Sequence, residues 1–297
     1  MSAAACRDCA SRGVLLAVLA GHIDRSVDGR IGERAKDLLA LSDEDLARSV
    51  DPHGGAAALR RSRDPETYER LLAALAANGC WSTCVHRPDF PASLEALGSS
   101  RPRALFCSGE RSALAAAQLD RSVTVVGSRR AGAYGREIAH ELSRLLAASG
   151  VHVISGMALG VDSAAHEGAL RAGGSTVAVL GAGPDRPYPR SRSQLFTRIR
   201  AQGAVISELP PCSPTFRWVF PARNRLMAAS LALIIGGALG NALDRILLGG
   251  VADFFSAHAF GFYWYIFNLA DVAIVAGVAG LLYDSYKSSR NGAVKSG

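Results

Sequence analysis

Two aspartates in otherwise apolar surroundings are the first candidates for chemistry. Asp271 interrupts the apolar run Trp264 to Tyr283, and Asp253 follows the run Leu226 to Leu243. An ionisable group inside a segment long enough to span a membrane is costly and marks function. Two carboxylates brought together cannot both stay ionised: one keeps its proton as an acid while the other activates water, the aspartic-protease arrangement. The alternative for Asp253 is a hydrated loop acid. A second chemistry is suggested by Gly127-Ser128-Arg129-Arg130 and by Ser155-Gly156-Met157-Ala158-Leu159-Gly160-Val161-Asp162. Glycine turns let backbone amides approach a ligand, and two arginines on such a turn suit phosphate. The Gly-x-Gly-x-x-Gly spacing of dinucleotide sites is absent there, so NAD and FAD are not expected. The six cysteines (6, 9, 80, 84, 107, 212) include Cys6-Arg-Asp-Cys9 and Cys80-Trp-Ser-Thr-Cys84, a conceivable split zinc site. About seventy residues part the pairs and no flanking histidine spacing supports them, so reduced cytoplasmic thiols are the better account. No metal and no cofactor is expected.

The elements that must position these groups follow from periodicity. Residues 1–78 alternate helical patterns with polar breaks, with Ser42 and Asp45 at the spacing of a capped helix start. Pro88, Pro91 and Pro102 punctuate an extended connector that leads to a strand at Ala104 to Cys107. From 122 the period changes. The β-branched run Ser122 to Val126 ends at Gly127, after which Ile138, Leu142, Leu145 and Leu146 fall on one helical face. The cycle repeats with Val151 to Ile154 and a helix from Ala164 to Arg171, then with Ser175 to Leu180 and a helix near Gln194 to Ala201, and a fourth strand spans Gly203 to Ser207. Strands alternating with helices predict a parallel, doubly wound sheet, whose ligands sit at the carboxyl ends of the strands.

Composition sets the limits. Hydrophobic residues at 49% with charged residues at 20% exclude a disordered tail protein, and Gly 31 with Pro 12 excludes collagen-like repeats. Acidic Asp8 precedes the run Val14 to Ala20, and His22 and Asp24 follow it, so no signal peptide is expected. The mean hydropathy of +0.15 is unevenly spread. Beyond Ala228 the bases Arg245, Lys287, Arg290 and Lys295 are matched by Asp244, Asp253, Asp271 and Asp284, so the net charge of +7 resides entirely upstream. Two runs near the roughly twenty residues that cross a bilayer then predict transmembrane helices, with Phe262 to Tyr265 as an aromatic belt. Basic residues at both outer flanks place both ends in the cytoplasm and the 244–263 loop outside. Buried core helices are the alternative.

Two resemblances cover the chain. Phe90-Pro91-x-x-Leu94, Val126-Gly127-Ser128-Arg129, Tyr134-Gly135, Ser155-Gly156-Met157-Ala158-x-Gly160-Val161-Asp162, Ala165-His166, Leu180-Gly181-x-Gly183-x-Asp185, Tyr188-Pro189, Ser207-Glu208-x-Pro210-Pro211 and Phe220-Pro221-Ala222-Arg223-Asn224-Arg225 resemble the DNA-processing protein A (DprA/Smf) family, over about residues 10–228. The resemblance implies a helical amino-terminal module and a Rossmann-like domain that binds single-stranded DNA in a basic pocket, dimerises, and hands the strand to a RecA-type recombinase in natural transformation. By position, Gly127, Ser128, Arg129, Arg223 and Arg225 would line that pocket. Cys212 and Arg192 depart from the family pattern in loops. The family's further strands after Arg225 are not expected here, which leaves the sheet incomplete and an interior strand at its edge.

Gly236-Gly237-Ala238-Leu239-Gly240-Asn241-x-Leu243-Asp244-Arg245, Gly249, Val251-Ala252-Asp253-Phe254 and Phe267-Asn268-x-Ala270-Asp271-x-Ala273-Ile274 resemble the closing third of bacterial lipoprotein signal peptidase (signal peptidase II), over about 229–286. That resemblance implies an integral-membrane aspartic endopeptidase acting on prolipoproteins, with Asp253 and Asp271 as its catalytic dyad and Asn241, Asp244, Arg245 and Asn268 supporting it. That family's first two spans and outer cradle are not expected.

The chain therefore reads as an α/β chimera in three parts: a helical module at 1–78, an incomplete Rossmann-like parallel sheet at 79–228, and a transmembrane hairpin at 229–297. Its expected place is the inner membrane, with residues 1–228 in the cytoplasm. Three classes stay open: a membrane-tethered DNA-binding protein, a membrane aspartic protease, or a fused gene product with neither activity. A nucleotide-cleaving hydrolase is disfavoured, because its Pro-Gly-Gly-x-Gly-Thr loop is not present.

Overall fold

Capping chemistry starts the helices of the amino-terminal part. In the computed structural model, which describes residues 4–27, 31–117, 122–228, 258–259 and 262–263, helix α1 (Arg7–Ser26) is followed by α2 (Ile31–Ala40), α3 (Asp43–Val50), α4 (Gly55–Arg63) and α5 (Pro65–Ala77). The Ser42 side chain accepts from the Asp45 amide at 3.1 Å, the expected cap of α3. Asp64 does the same for α5, where Pro65 occupies the first turn. Leu15, Leu16, Leu19 and Ile23 of α1 are fully buried and pack with Leu46 and Val50 of α3 and Ala58 of α4. Arg12, also buried, is neutralised by Asp43 at 2.7 Å and donates to the Leu39 carbonyl at 3.0 Å.

The strands are β1 (Cys80–Cys84), β2 (Ala104–Gly109), β3 (Ser122–Thr124), β4 (His152–Ser155), β5 (Thr176–Val179) and β6 (Ala204–Ser207). They form one sheet in the order β1-β2-β6-β5-β4-β3. The alternation from 122 onward appears as expected, with α7 (Ala133–Ala148), α8 (Val161–Arg171) and α9 (Ser193–Gln202) between parallel strands. The whole sheet, however, is mixed rather than parallel: β1 pairs antiparallel with β2, and β2 antiparallel with β6. The connector between β1 and β2 holds only 3₁₀ turns (Ala92–Ser100) and no crossover helix, which a parallel return requires. Between β2 and β3 runs α6 (Arg111–Ala116), and among the described residues β1 and β3 are the two edge strands.

Helix α7 differs from its periodicity. Its buried residues are Ala139, Ser143, Leu146 and Ala147, whereas Ile138 and Leu145 are nearly half exposed. Close approach of α8 is the reason: at Gly168 an added Cβ would strike the His140 carbonyl, so the crossing selects the small side chains of α7.

Helix α10 (Val219–Ala228) closes the described body. Trp218, just before it, is buried against α1 and donates from Nε1 to the Ala20 carbonyl at 3.1 Å. The helical part and the sheet thus share a core, and residues Met1–Leu231 form one unit, with Ala232–Gly297 a second. Leu226 and Met227 are buried in the core beside Ile154 and Val179. The first expected span, counted from Leu226, therefore begins with residues that the sheet claims. The rest of that span and the span at 264–283 lie outside the described residues. Among the described residues no helix is long and apolar enough to cross a membrane. In the second unit, His258–Ala259 pairs antiparallel with Phe262–Tyr263.

Candidate nucleic-acid interface

The turns after β3, β4 and β5 and the start of α10 come together at the carboxyl ends of the parallel strands. Asp162, buried in the first turn of α8, ties two of the turns: its Oδ1 accepts from the Gly127 amide at 3.3 Å and its Oδ2 from the Ala158 amide at 3.4 Å. The Ser128 carbonyl accepts from the Val161 amide at 3.3 Å, and the Ser128 hydroxyl from the Arg130 amide at 3.1 Å. Gly160, with φ of +81°, faces the Ser128 carbonyl so closely that a Cβ would overlap it. Met157 also lies in the left-handed region, at φ 57°, and is fully buried, so the turn holds backbone strain in a packed setting.

Arg223 of α10 enters this frame from the other side. Its Nη1 donates to the carbonyls of Gly156 and Val179, while its Nε is buried without a partner among the described residues. A Cβ at Gly156 would lie 2.7 Å from Arg223 Nη2 and 2.8 Å from Asp162 Oδ2, so only glycine permits both groups to close over that backbone. Burial pushes the Asp162 carboxyl above its ordinary range, partly offset by the Arg223 charge. Burial likewise lowers Arg223, partly offset by Asp162. His166, wholly buried behind them, is pushed down to about 3 by burial and by the Arg223 charge. Its Nδ1 meets Thr176 Oγ1 at 2.8 Å, and its Nε2 has no partner among the described residues.

Toward solvent the frame presents a cationic and aromatic surface. The Arg129 guanidinium lies 4.9 Å from the Phe220 ring centre and that of Arg223 lies 5.5 Å from it. Tyr188, exposed on the loop after β5, tilts against the same ring with centroids 5.2 Å apart. Arg130 is exposed beside them. A phosphate backbone finds guanidinium charge here, and a base finds ring faces.

Of the expected pocket residues, Gly127, Ser128, Arg129 and Arg223 come together. Arg225 points elsewhere. It forms a partly buried bidentate ion pair with Glu208 and also donates to the carbonyls of Ser100 and Ala222. Four of its donor interactions are internal, which makes it a brace of α10 rather than a ligand group. Tyr188, Phe220 and Asp162 stood in the sequence motifs without a role, because their meeting depends on loops far apart in the chain. Asp253, Asp271, Asn241, Asp244, Arg245 and Asn268 lie outside the described residues. Away from this surface, Cys6, Cys9, Cys84 and His86 converge as a group that could hold a metal ion.

Residues 81–238 match the family of DNA recombination-mediator protein A, and residues 211–287 match the signal peptidase (SPase) II family. The two matches overlap on α10. A lipoprotein signal peptidase of Beijerinckia indica subsp. indica is 59% identical over 111 residues, which is 35% of this chain and 66% of that protein. A putative DNA processing protein DprA of Mycobacterium tuberculosis is 47% identical over 121 residues, 39% of this chain and 31% of that protein. The chain thus spans about a third to two thirds of the length of these curated relatives. Among solved structures, DNA processing protein A of Streptococcus pneumoniae is 28% identical, with 64% of each chain covered and a TM-score of 0.49.

Proposed function

Since this chain belongs to the DNA recombination-mediator protein A family, we propose that its described body binds single-stranded DNA across the carboxyl edge of the sheet. The observation that carries the reading is the exposed pair Arg129 and Tyr188 around the half-buried Phe220 ring, set over glycine turns that the buried Asp162 and Arg223 hold in place. Stacking on aromatic faces is tolerant of sequence, and phosphate neutralisation is steeply dependent on salt. Arg129 and Arg130 contact the strand, Phe220 and Tyr188 supply stacking, and Arg223 shapes the site from below. The bound strand is passed to a RecA-type recombinase, and the body acts as a homodimer as the family resemblance implies.

A second activity rests on the match of residues 211–287 to signal peptidase II. In this reading the carboxyl-terminal part is a membrane aspartic endopeptidase segment with Asp253 and Asp271 as its dyad and prolipoproteins as substrate. Residues 1–228 then face the cytoplasm at the inner membrane, with loop 244–263 outside.

The DNA reading is tested by fluorescence anisotropy of the full-length chain in detergent with labelled oligothymidylate over a salt series. Arg129→Ala is expected to weaken binding and flatten the salt slope, whereas Arg60→Ala with Arg61→Ala, on α4 far from the motif, changes little. Equal losses in both variants would sink the assignment in favour of a diffuse basic surface.

A further inference from the structure

The amino end of α1 and the end of β1 carry a second constellation, unrelated to the DNA surface. Cys6 is the residue before α1 and Cys9 lies in its first turn, so the pair shares one side of the helix start. Cys84 ends β1, and His86 follows in the turn. Their ligand atoms all lie within 4.8 Å of one another. His86 Nδ1 stands 3.5 Å from Cys6 Sγ and 3.4 Å from Cys9 Sγ, and Cys84 Sγ stands 3.9 Å from Cys6 Sγ.

These separations discriminate between chemistries. A disulfide needs its sulfurs about 2.05 Å apart; the three cysteines are free thiols, with Cys84 Sγ 3.9 Å from Cys6 Sγ. Around a tetrahedral zinc, bond lengths of about 2.3 Å to sulfur and about 2.0–2.1 Å to nitrogen give ligand–ligand edges of about 3.8 Å for two sulfurs and about 3.6 Å for sulfur and nitrogen. The three edges of 3.4, 3.5 and 3.9 Å are close to those of that polyhedron. Three soft thiolates with one imidazole select zinc over magnesium or calcium.

We propose that Cys6, Cys9, Cys84 and His86 bind one structural zinc ion. Four protein ligands leave no open coordination position, so the ion holds the fold and performs no catalysis. Surrounding contacts orient the ligands: the Ala5 amide donates to Ser82 Oγ at 2.9 Å, and the Tyr68 hydroxyl donates to the Ala5 carbonyl at 2.6 Å. The ion would staple the start of α1 to a strand whose residues are 77 to 80 positions away in sequence. It thereby fastens the helical part to the antiparallel edge of the sheet.

The test is metal analysis of the full-length chain, purified in detergent with reductant and zinc. Expected is one tightly held zinc per chain, and after cobalt exchange the intense d–d and thiolate-to-cobalt bands of a tetrahedral sulfur-rich site. Cys84→Ser and Cys9→Ser should lose the ion, while Cys80→Ser and Cys212→Ser, outside the cluster, keep it. His86→Cys guards against a variant that merely fails to fold: it retains four ligands, so it should hold cobalt with a spectrum shifted to four thiolates. Absence of metal in the parent chain, a Cys6–Cys9 disulfide that persists under reductant, metal lost equally from the Cys80 and Cys212 variants, or an unchanged cobalt spectrum in His86→Cys would each overturn the proposal.

Discussion

Arg223 and Arg225 stand two positions apart on one helix and do different work. Arg225 is spent inside the protein on Glu208, so Arg225→Met leaves a largely buried carboxylate without its partner. Such a loss costs about 3–5 kcal/mol, and removing both charges recovers much of it. Urea unfolding should therefore show a large drop for Arg225→Met and a smaller one for Arg225→Met with Glu208→Leu. Folded Arg225→Met should keep most of its DNA affinity, in contrast with Arg129→Ala. His166 supplies a pH dependence. Its folded pKa of about 3 lies below the ordinary 6.5, so between these values the unfolded chain binds a proton that the folded chain does not. Stability from this group is complete above pH 6.5 and falls as pH drops toward 3, by up to ~1.4 kcal/mol per pH unit. Asp162, shifted upward, works in the opposite sense in the carboxylate range. The comparison is therefore clearest from about pH 7 to about pH 5, where unfolding midpoints of the parent should fall more steeply than those of His166→Gln. Parallel profiles would remove His166 as the cause.

At the scale of elements, the proposed DNA surface depends on turns more than on helices. Gly160 has a left-handed φ and packs against the Ser128 carbonyl, so Gly160→Ala meets both backbone strain and a direct overlap. The strain alone is worth about 1–3 kcal/mol. Because relief would displace the turn that carries Arg129, the variant should lose thermal stability and DNA affinity together. Loss of stability with full affinity would mean that the 127–130 turn is not part of the binding surface. Helix α7 shows a different economy: its small face is used against α8, and Tyr134, Ile138 and Leu145 remain exposed on the other side.

At the scale of the whole molecule, two matched families meet on α10, whose Leu226 and Met227 belong to the sheet's core. Any membrane crossing therefore begins beyond them. The full chain is expected to sediment with inner membrane and resist carbonate extraction, because apolar spans anchor far more firmly than a basic patch. Recovery in the soluble fraction would refute the membrane reading. Proteolysis should be assayed in membranes on a prolipoprotein, for the parent and for Asp253→Asn and Asp271→Asn separately. The parent is expected to cleave poorly or not at all, since an acid pair works only on a scissile bond held within hydrogen-bond reach. Any cleavage should vanish in both variants; cleavage that survives either substitution would show that the dyad is misassigned.

Local signals were legible in the residues themselves. The Ser42 cap, the strand–turn–helix cycles after 122 and the glycine turns at their carboxyl ends appear where periodicity and turn chemistry place them, because each is decided within a few neighbouring residues. Both family resemblances were legible for the same reason, as ordered runs of motif residues. What required the tertiary structure is pairing over long separations. The antiparallel edge depends on how β1 and β2 return without a helix, and the exposed face of α7 depends on how closely α8 approaches. The different fates of Arg223 and Arg225 depend on which carbonyls and carboxylates lie around α10. Cys6 and Cys9 looked isolated when paired by spacing with Cys80 and Cys84. Only the docking of α1 on the sheet, with Gly13 against Phe106 of β2, brings Cys84 and His86 to them, since a ligand set is defined by distance in space and a sequence records distance along the chain.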